Sequence, residues 1–151
     1  MKVCGFTTVR NAIKYGYPVL ESIESILPLC DQIVVAVGQS DDDTLDLIKR
    51  IDNHKIVIIE TVWDDNLKEG GRVLAVETNK AFDAITDDFD WCFYIQADEV
   101  VHEKFYPVIM SEMERWIDQS EVKGLLFNYL HFWGTYDYVG LGREWYRHEI
   151  R

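Results

Sequence analysis

The sequence is poor in cysteine and contains no long apolar run. Its three cysteines, Cys4, Cys30 and Cys92, are widely spaced and include no CxxC pair. This pattern disfavours a disulfide framework and a metal knuckle, and it indicates small buried side chains in a reducing compartment. No apolar run approaches membrane-spanning length, and the first residues lack a signal-peptide pattern. These features predict a cytoplasmic protein with no transmembrane segment, and they leave peripheral contact with a membrane open.

Positive charge is also scarce. The chain has 15 Lys and Arg residues against 27 Asp and Glu residues, which gives a formal net charge of −12. Nucleic acid backbones and anionic membranes need a positive footprint, so this balance disfavours both as partners. It is still compatible with a small anionic ligand, because a metal ion or a helix N-terminus can hold such a ligand locally.

Several motifs that carry nucleotide or nucleophile chemistry are absent. The stretch "TTVRNAIKYG", which follows the first apolar run, has neither the Walker A spacing nor GxGxxG. P-loop and dinucleotide-binding hypotheses therefore lose support. No Ser/His/Asp or Cys/His arrangement is recognisable in the sequence. The sequence consequently identifies no catalytic base or nucleophile.

Apolar runs alternate with amphipathic runs along the 151 residues. Strands are predicted at 2–9, 32–38, 55–60, 91–97 and 122–134, and helices at 18–29, 40–51, 73–85 and 103–117. Ser40 and Asp43 have the spacing of a capping box, and Leu74, Thr78, Ala81, Phe82 and Ile85 share one stripe of the third helix. The alternation predicts one α/β domain over residues 1–151, Rossmann-like, with a mostly parallel central sheet flanked by helices.

Polar residues follow each of the first four predicted strands. In open parallel sheets ligands bind beyond the carboxyl ends of the strands, so these side chains are expected to converge. They are Thr7, Thr8 and Arg10 after the first strand; Gln39, Ser40, Asp41 and Asp42 after the second; Asp64 and Asp65 after the third; and Asp98 and Glu99 after the fourth.

The adjacent acids Asp98 and Glu99 follow the apolar run "WCFYI", with only Gln96 and Ala97 between them and the run. Carboxylates at the start of a helix interact well with its dipole, and for Glu99 this interpretation is favoured. For Asp98 we favour a metal ligand, because Mg²⁺ and Mn²⁺ prefer hard oxygen ligands and suit the recognition of a diphosphate.

Two arginines are candidates for holding a phosphate. Arg10 could form two parallel hydrogen bonds to one, and an ordinary surface salt bridge is the alternative. Arg72 follows two glycines that allow close approach of a ligand, and an exposed position in a first helical turn is its alternative. Asp41 and Asp42 are candidates to accept hydrogen bonds from a base or a ribose.

In series, these segments resemble a family 2 glycosyltransferase of the GT-A fold. The matching pieces are "TTVRN", "DQIVVAVGQSDDDTLDLI", "ETNKAFDAI" and "DDFDWCFYIQADEVVHE", and they cover nearly the whole chain. "QADE" stands in the position of the family's DxD motif, and Asn79 stands where the family often has Asn in its third helix. The resemblance implies a fold that binds a nucleotide-diphosphate sugar and an enzyme that transfers the sugar with inversion to a hydroxyl acceptor. A glycan or a lipid-linked molecule would suit as the acceptor.

The resemblance also implies roles for individual residues. Asp98 matches the aspartate that ligates Mn²⁺ or Mg²⁺, and Glu99 is a supporting ligand. Gln96 replaces the first Asp of the motif and can bond a ribose hydroxyl. Val37 and Gly38 stand where the family often has an Asp for the base. Recognition of the base is therefore expected to shift to Thr8, Gln39 or Asp41, with Thr7, Arg10 and Arg72 completing the donor site.

Two other hypotheses stay open. A nucleotidyltransferase would also be α/β and metal-dependent, but the segment after the first strand lacks its usual glycine cluster. A non-catalytic α/β binding or interaction domain would use the acids only as helix caps.

The ending "GREWYRHEIR" is not preceded by a segment rich in Gly, Pro and Ser. This favours the N-terminal part of a longer protein, truncated before the family's catalytic base. The domain would then be a donor-binding half.

Overall fold

A computed structural model describes residues 1–67, 69–86 and 88–140, together with the backbone of 148–150. The chain divides into two units, Met1–Glu114 and Arg115–Arg151. The extent of a single domain over 1–151 stays a prediction.

The first unit has the predicted alternation of strands and helices. Its strands are β1 (Val3–Val9), β2 (Gln32–Gly38), β3 (Ile56–Thr61) and β4 (Trp91–Tyr94). Its helices are α1 (Ala12–Tyr15), α2 (Val19–Ile26), α3 (Thr44–Lys49), α4 (Arg72–Asp83) and all but the end of α5 (Tyr106–Trp116). Short 3-10 segments lie at Glu69–Gly71 and Glu103–Phe105. The first helix, α1, was not predicted from the sequence.

The four strands form one parallel sheet in the order β3-β2-β1-β4. The chain moves outward from β1 to β3 and then returns to the other side of β1, so the strand order reverses between β1 and β4. Ligands of open α/β sheets bind in the crevice outside the carboxyl ends at such a point. The α/β fold class is confirmed.

Two layers of apolar side chains cover the two faces of the sheet. On one face Cys4, Phe6, Val34 and Ala36 pack with Ala81 of α4. Side chains alternate along a strand, so Gly5 faces the other layer, where Ile26 and Cys30 lie against it. All three cysteines are free, and burial raises the pKa of the Cys30 thiol to about 12. Cys4 and Cys30 are buried, as small hydrophobic residues are.

Two details of the predicted helices are wrong. Helix α3 begins at Thr44, and the Ser40 hydroxyl bonds Gly38 and Asn11 at the sheet edge, so the capping box does not form. On α4 the buried positions are Glu77 and Ala81, whereas Leu74 and Phe82 are 45% and 48% exposed. The buried face of this helix was predicted from the spacing of mainly apolar residues. An ion pair with Lys80 allows the charged residue Glu77 to occupy the buried face instead.

The long final strand predicted at 122–134 is also wrong. In the second unit β5 (Leu126–Asn128) pairs antiparallel with β8 (His148–Ile150), and β6 (Phe132–Trp133) pairs antiparallel with β7 (Thr135–Val139). Gly134, at a φ of 73°, turns the chain between β6 and β7. Most of the tail 142–151 lies outside the described residues. Within the described part, no helix is long and apolar enough to cross a membrane.

Gly5 provides a test of the packing between β1 and α2. A methyl group there would lie 2.8 Å from Ile26 Cδ1, 3.1 Å from Cys30 Sγ and 3.2 Å from Ile33 Cγ1. Because these neighbours are buried, we expect Gly5→Ala to lower the free energy of unfolding by about 1–3 kcal/mol. Urea unfolding followed by circular dichroism measures this change. An unchanged or raised midpoint would contradict the packing described.

Candidate functional site

The carboxyl ends of β1 and β2 are joined by reciprocal hydrogen bonds around Asn11. The Asp41 N–H donates to Asn11 Oδ1 at 2.7 Å, and Asn11 Nδ2 donates to Asp41 Oδ2 at 3.4 Å. The Asn11 N–H donates to Ser40 Oγ at 3.0 Å. Asn11 has a φ of 56°, a left-handed conformation that Asn tolerates better than most residues. The turn after β1 is therefore fixed by the turn after β2.

Asp42 extends this connection to α1 and α3. Its Oδ2 accepts the Lys14 N–H at 2.8 Å, and its Oδ1 accepts the Thr44 N–H at 3.0 Å together with the Thr44 hydroxyl. The Thr44 hydroxyl oxygen in turn accepts the Ala12 N–H at 2.7 Å. Burial alone would raise the pKa of Asp42, but these hydrogen bonds outweigh it and lower the pKa below 3.8.

The Arg10 guanidinium is held by three groups at the same edge. It donates to Asp65 Oδ1 at 2.6 Å and to the Gln39 carbonyl at 3.0 Å, and it lies over the ring of Trp63. The hydrogen bond to Asp65 is the main reason that the pKa of Arg10 is raised. Arg10, which was predicted to bind a phosphate, thus forms a salt bridge with Asp65 in this structure. A phosphate would have to compete with Asp65 for the guanidinium group.

The segment after β4 forms a tight turn that presents Asp98 to solvent. The Gln96 N–H donates to Glu99 Oε2 at 2.9 Å, and the Glu99 N–H donates back to the Gln96 carbonyl at 3.1 Å. Ser22 of α2 donates to the same Gln96 carbonyl. Asp98 is exposed, and it has no hydrogen-bond or ion-pair partner among the residues that the structure describes.

Tyr17 lies on the same surface as Asp98. Partial burial raises the pKa of the Tyr17 phenol, and the negative charge of Asp98 raises it further. The ring of Tyr15 is 5.8 Å from that of Tyr17. This pair of aromatic side chains was not predicted from the sequence.

Among the described residues, no three His, Cys, Asp or Glu side chains are grouped closely enough to hold a metal ion by themselves. One oxygen of Glu99 is already used by the turn, so Asp98 is the acid best placed to bind one. Magnesium is commonly bound by one or two carboxylates together with substrate phosphates. The residues present fit a metal ion that arrives with a diphosphate.

The predicted site residues fall into two groups and three separate positions. Arg10, Gln39 and Asp41 lie together at the ends of β1 and β2, and Gln96, Asp98 and Glu99 lie together after β4. Thr7 is fully buried, and its hydroxyl has no partner within the described part of the chain. Thr8 is half-buried and bonds the Ala36 carbonyl at 3.3 Å, and Arg72 is the exposed first residue of α4. Thr7 therefore does not line the surface of this edge.

An open cleft of about 420 Å³ lies beside this edge, between the ends of β2 and β3 and the start of α3. Its acidic lining consists of Asp42, Asp43, Asp46 and Glu60. Of the predicted donor-site residues, Gln39 alone lines it. This acidic lining disfavours an anion in the cleft.

Asp42 provides a test of the connection between β1 and β2 and its pH dependence. We expect Asp42→Asn to lower the free energy of unfolding at pH 7 by about 1 kcal/mol, because an amide cannot accept the same set of hydrogen bonds. Since the pKa of Asp42 is lowered by folding, its contribution is present above pH 3.8 and is lost as the pH falls through the lower, folded-state value. Urea unfolding of both proteins between pH 2.5 and 7 should show the two curves converging in acid. A difference that stays constant over this range would contradict the role given to the carboxylate.

Comparisons with known proteins agree with the architecture. No family model matches the sequence, and no curated protein matches it. Among solved structures, S. aureus TarS 1-349 is similar with a TM-score of 0.54 and 18% identity, over 76% of this chain and 33% of that chain. A second S. aureus TarS structure gives a TM-score of 0.51 and 17% identity, over 76% of this chain and 20% of that chain.

This chain thus spans about a third of the shorter TarS structure and a fifth of the longer one. TarS is a GT-A-like glycosyltransferase. At this identity the likeness concerns the fold alone. The chain has a glycosyltransferase-like fold.

Proposed function

We propose that this chain forms the donor-binding part of a glycosyltransferase. It binds a nucleotide-diphosphate sugar at the carboxyl edge of the sheet and takes part in transferring the sugar, with inversion, to a hydroxyl of a glycan or lipid-linked acceptor. The single observation that carries the proposal is the position of Asp98. It is an exposed carboxylate without a partner in the described residues, and it follows β4, the strand beside which the strand order reverses.

The glycosyltransferase-like fold supports the class of ligand. In this arrangement Asp98 would hold Mn²⁺ or Mg²⁺ together with the diphosphate, with Glu99 beside it. When bound, the metal ion would supply positive charge that stabilises the departing diphosphate. Such local charge is needed here because the chain as a whole is strongly acidic.

The chain's own residues would orient the donor. The Gln96 side chain, 3.4 Å from the Tyr94 hydroxyl, lies between the end of β4 and α4 and can turn an amide toward a ribose. Arg10 and Arg72 would bind the phosphates, and for Arg10 this means exchanging Asp65 for the ligand. In the transfer, the acceptor oxygen bonds to the anomeric carbon as the bond to the diphosphate breaks, and the acceptor proton passes to a base that we do not assign.

Calorimetric titration with UDP, GDP, CDP and dTDP, with and without Mn²⁺, tests this proposal. We expect one nucleotide to bind in a metal-dependent manner, and Asp98→Asn to weaken that binding by about tenfold or more, since a carboxylate ligand is lost. Asp52→Asn is the matched control, because Asp52 is an exposed acid before β3, at the opposite end of the sheet.

The result would argue against the proposal if the nucleotide bound equally well without metal and in Asp98→Asn. Binding lost equally in both variants would indicate an effect of net charge and not of the site. Failure of every nucleotide to bind would favour a non-catalytic α/β domain.

A further inference from the structure

One of the protein's own aromatic side chains lies directly on the backbone at the end of β2. A methyl group on Gly38 would come within 2.6 Å of Trp63 Cδ1, so only glycine admits the indole at this distance. The Arg10 guanidinium lies over the same ring, 5.8 Å from its centroid. A flat heterocycle therefore occupies a slot between the carboxyl ends of β1 and β2. We call this the Gly38 slot.

Three buried polar atoms around this slot lack hydrogen-bond partners within the described residues. They are Thr61 Oγ1, Trp63 Nε1 and Glu77 Oε2. Glu77 is fully buried, and only its other oxygen is bonded, to Lys80 Nζ at 2.6 Å. Buried polar atoms almost always have partners, so these three atoms are open to hydrogen bonds from a ligand or from ordered water.

The positions of these atoms can be traced to one face of the sheet. Gly38 is the register partner of Thr61, so both side-chain positions face the same layer. Val34 and Ala36 precede Gly38 on that face, and they pack with Ala81 of α4. Glu77 lies one turn before Ala81, which brings it toward the carboxyl ends of the strands.

Lys80 ties the carboxylate to the third strand. Its ammonium group donates to Glu77 at 2.6 Å and to the Val62 carbonyl at 3.1 Å. Val62 lies between Thr61 and Trp63 in the sequence. Lys80 thus links the Glu77 carboxylate to the backbone between the two residues that carry the other unpartnered atoms.

We propose that the Trp63 indole holds the place of a nucleobase, so that the base of the donor enters the Gly38 slot when Trp63 moves out. This inference rests on the proposed function. The flat, nitrogen-bearing ring of a base matches the ring it replaces, and Arg10 can stack on either. The Glu77 carboxylate accepts an N–H or amino hydrogen from the base edge, and the Thr61 hydroxyl bonds its neighbour.

The location suits a nucleoside diphosphate. The ends of β2 and β4 are separated by two strand spacings, about 10 Å. A base at Gly38 would therefore place its diphosphate across β1, toward Asp98. Of the residues predicted from the sequence for the base, Gln39 follows Gly38 directly, and its carbonyl accepts a hydrogen bond from Arg10.

The test compares nucleoside diphosphates with inorganic pyrophosphate, which has no base. Titrations of the intact chain in Mn²⁺ would use UDP, GDP, CDP, dTDP and pyrophosphate. We expect Trp63→Ala to raise the affinity for the nucleotide that binds best by about tenfold, because the slot no longer has to be emptied. We expect Glu77→Gln to lower it by about tenfold. Both variants should leave pyrophosphate binding unchanged.

Two further variants serve as controls. Trp63→Phe keeps the slot filled and should bind nucleotide like the wild type, and Trp133→Ala removes an exposed Trp of the second unit and should change nothing. Thermal unfolding checks that each variant is folded, and Trp63→Phe provides the comparison if Trp63→Ala is not.

The outcomes separate this inference from the proposed function. If pyrophosphate binds and depends on Asp98, but nucleotide affinity is lowered by Trp63→Ala or unaffected by Glu77→Gln, this inference alone is overturned. If neither nucleotide nor pyrophosphate binds with Mn²⁺, the proposed function is overturned and this inference with it.

Discussion

The geometry of the ligand edge depends on the paired hydrogen bonds between Asn11 and Asp41. Parallel strands end at the same edge, but nothing in the sheet itself fixes the turns that follow them. Asn11 does so in its left-handed conformation, and Asp42 and Thr44 extend the connection into α1 and α3. Because the turns after β1 and β2 hold each other, Arg10 and Gln39 are presented on one surface. Hydrogen bonds between the two turns therefore fix the backbone at this edge.

The acids of this edge serve two different purposes. Asp65 and Asp41 form ion pairs with Arg10 and Lys14, which reduces the negative field at this edge, whereas Asp42 accepts hydrogen bonds that fix the turns. Asp98 is exposed and has no such partner in the described chain. The two adjacent acids after β4 divide in the same way. Glu99 closes the turn by capping the Gln96 N–H, which leaves Asp98 for a ligand.

The sequence was sufficient for the sheet and insufficient for much of the site. The β-branched run 32–38 predicted β2 correctly. The alternation of apolar runs with amphipathic runs predicted the parallel sheet correctly. Glu77 could not be found from the pattern, because burial of a charged residue depends on the ion pair with Lys80 and on the strand beneath it. Trp63 was assigned to a loop since nothing local shows that Gly38, 25 positions earlier, leaves room for its ring. The break of the final strand at residues 129–131 was missed because the run stays apolar and aromatic through Tyr129 and Leu130 and contains no turn residue there.

The central claim is that a nucleoside diphosphate binds across the carboxyl ends of β2, β1 and β4. Amide chemical shifts of the ¹⁵N-labelled chain, recorded while UDP, GDP, CDP and dTDP are added in turn with Mg²⁺, test it most directly. For the nucleotide that binds, the account predicts shifts concentrated in residues 10–12, 38–41 and 96–99. Shifts concentrated at the amino ends of the strands, or in the second unit, would contradict it.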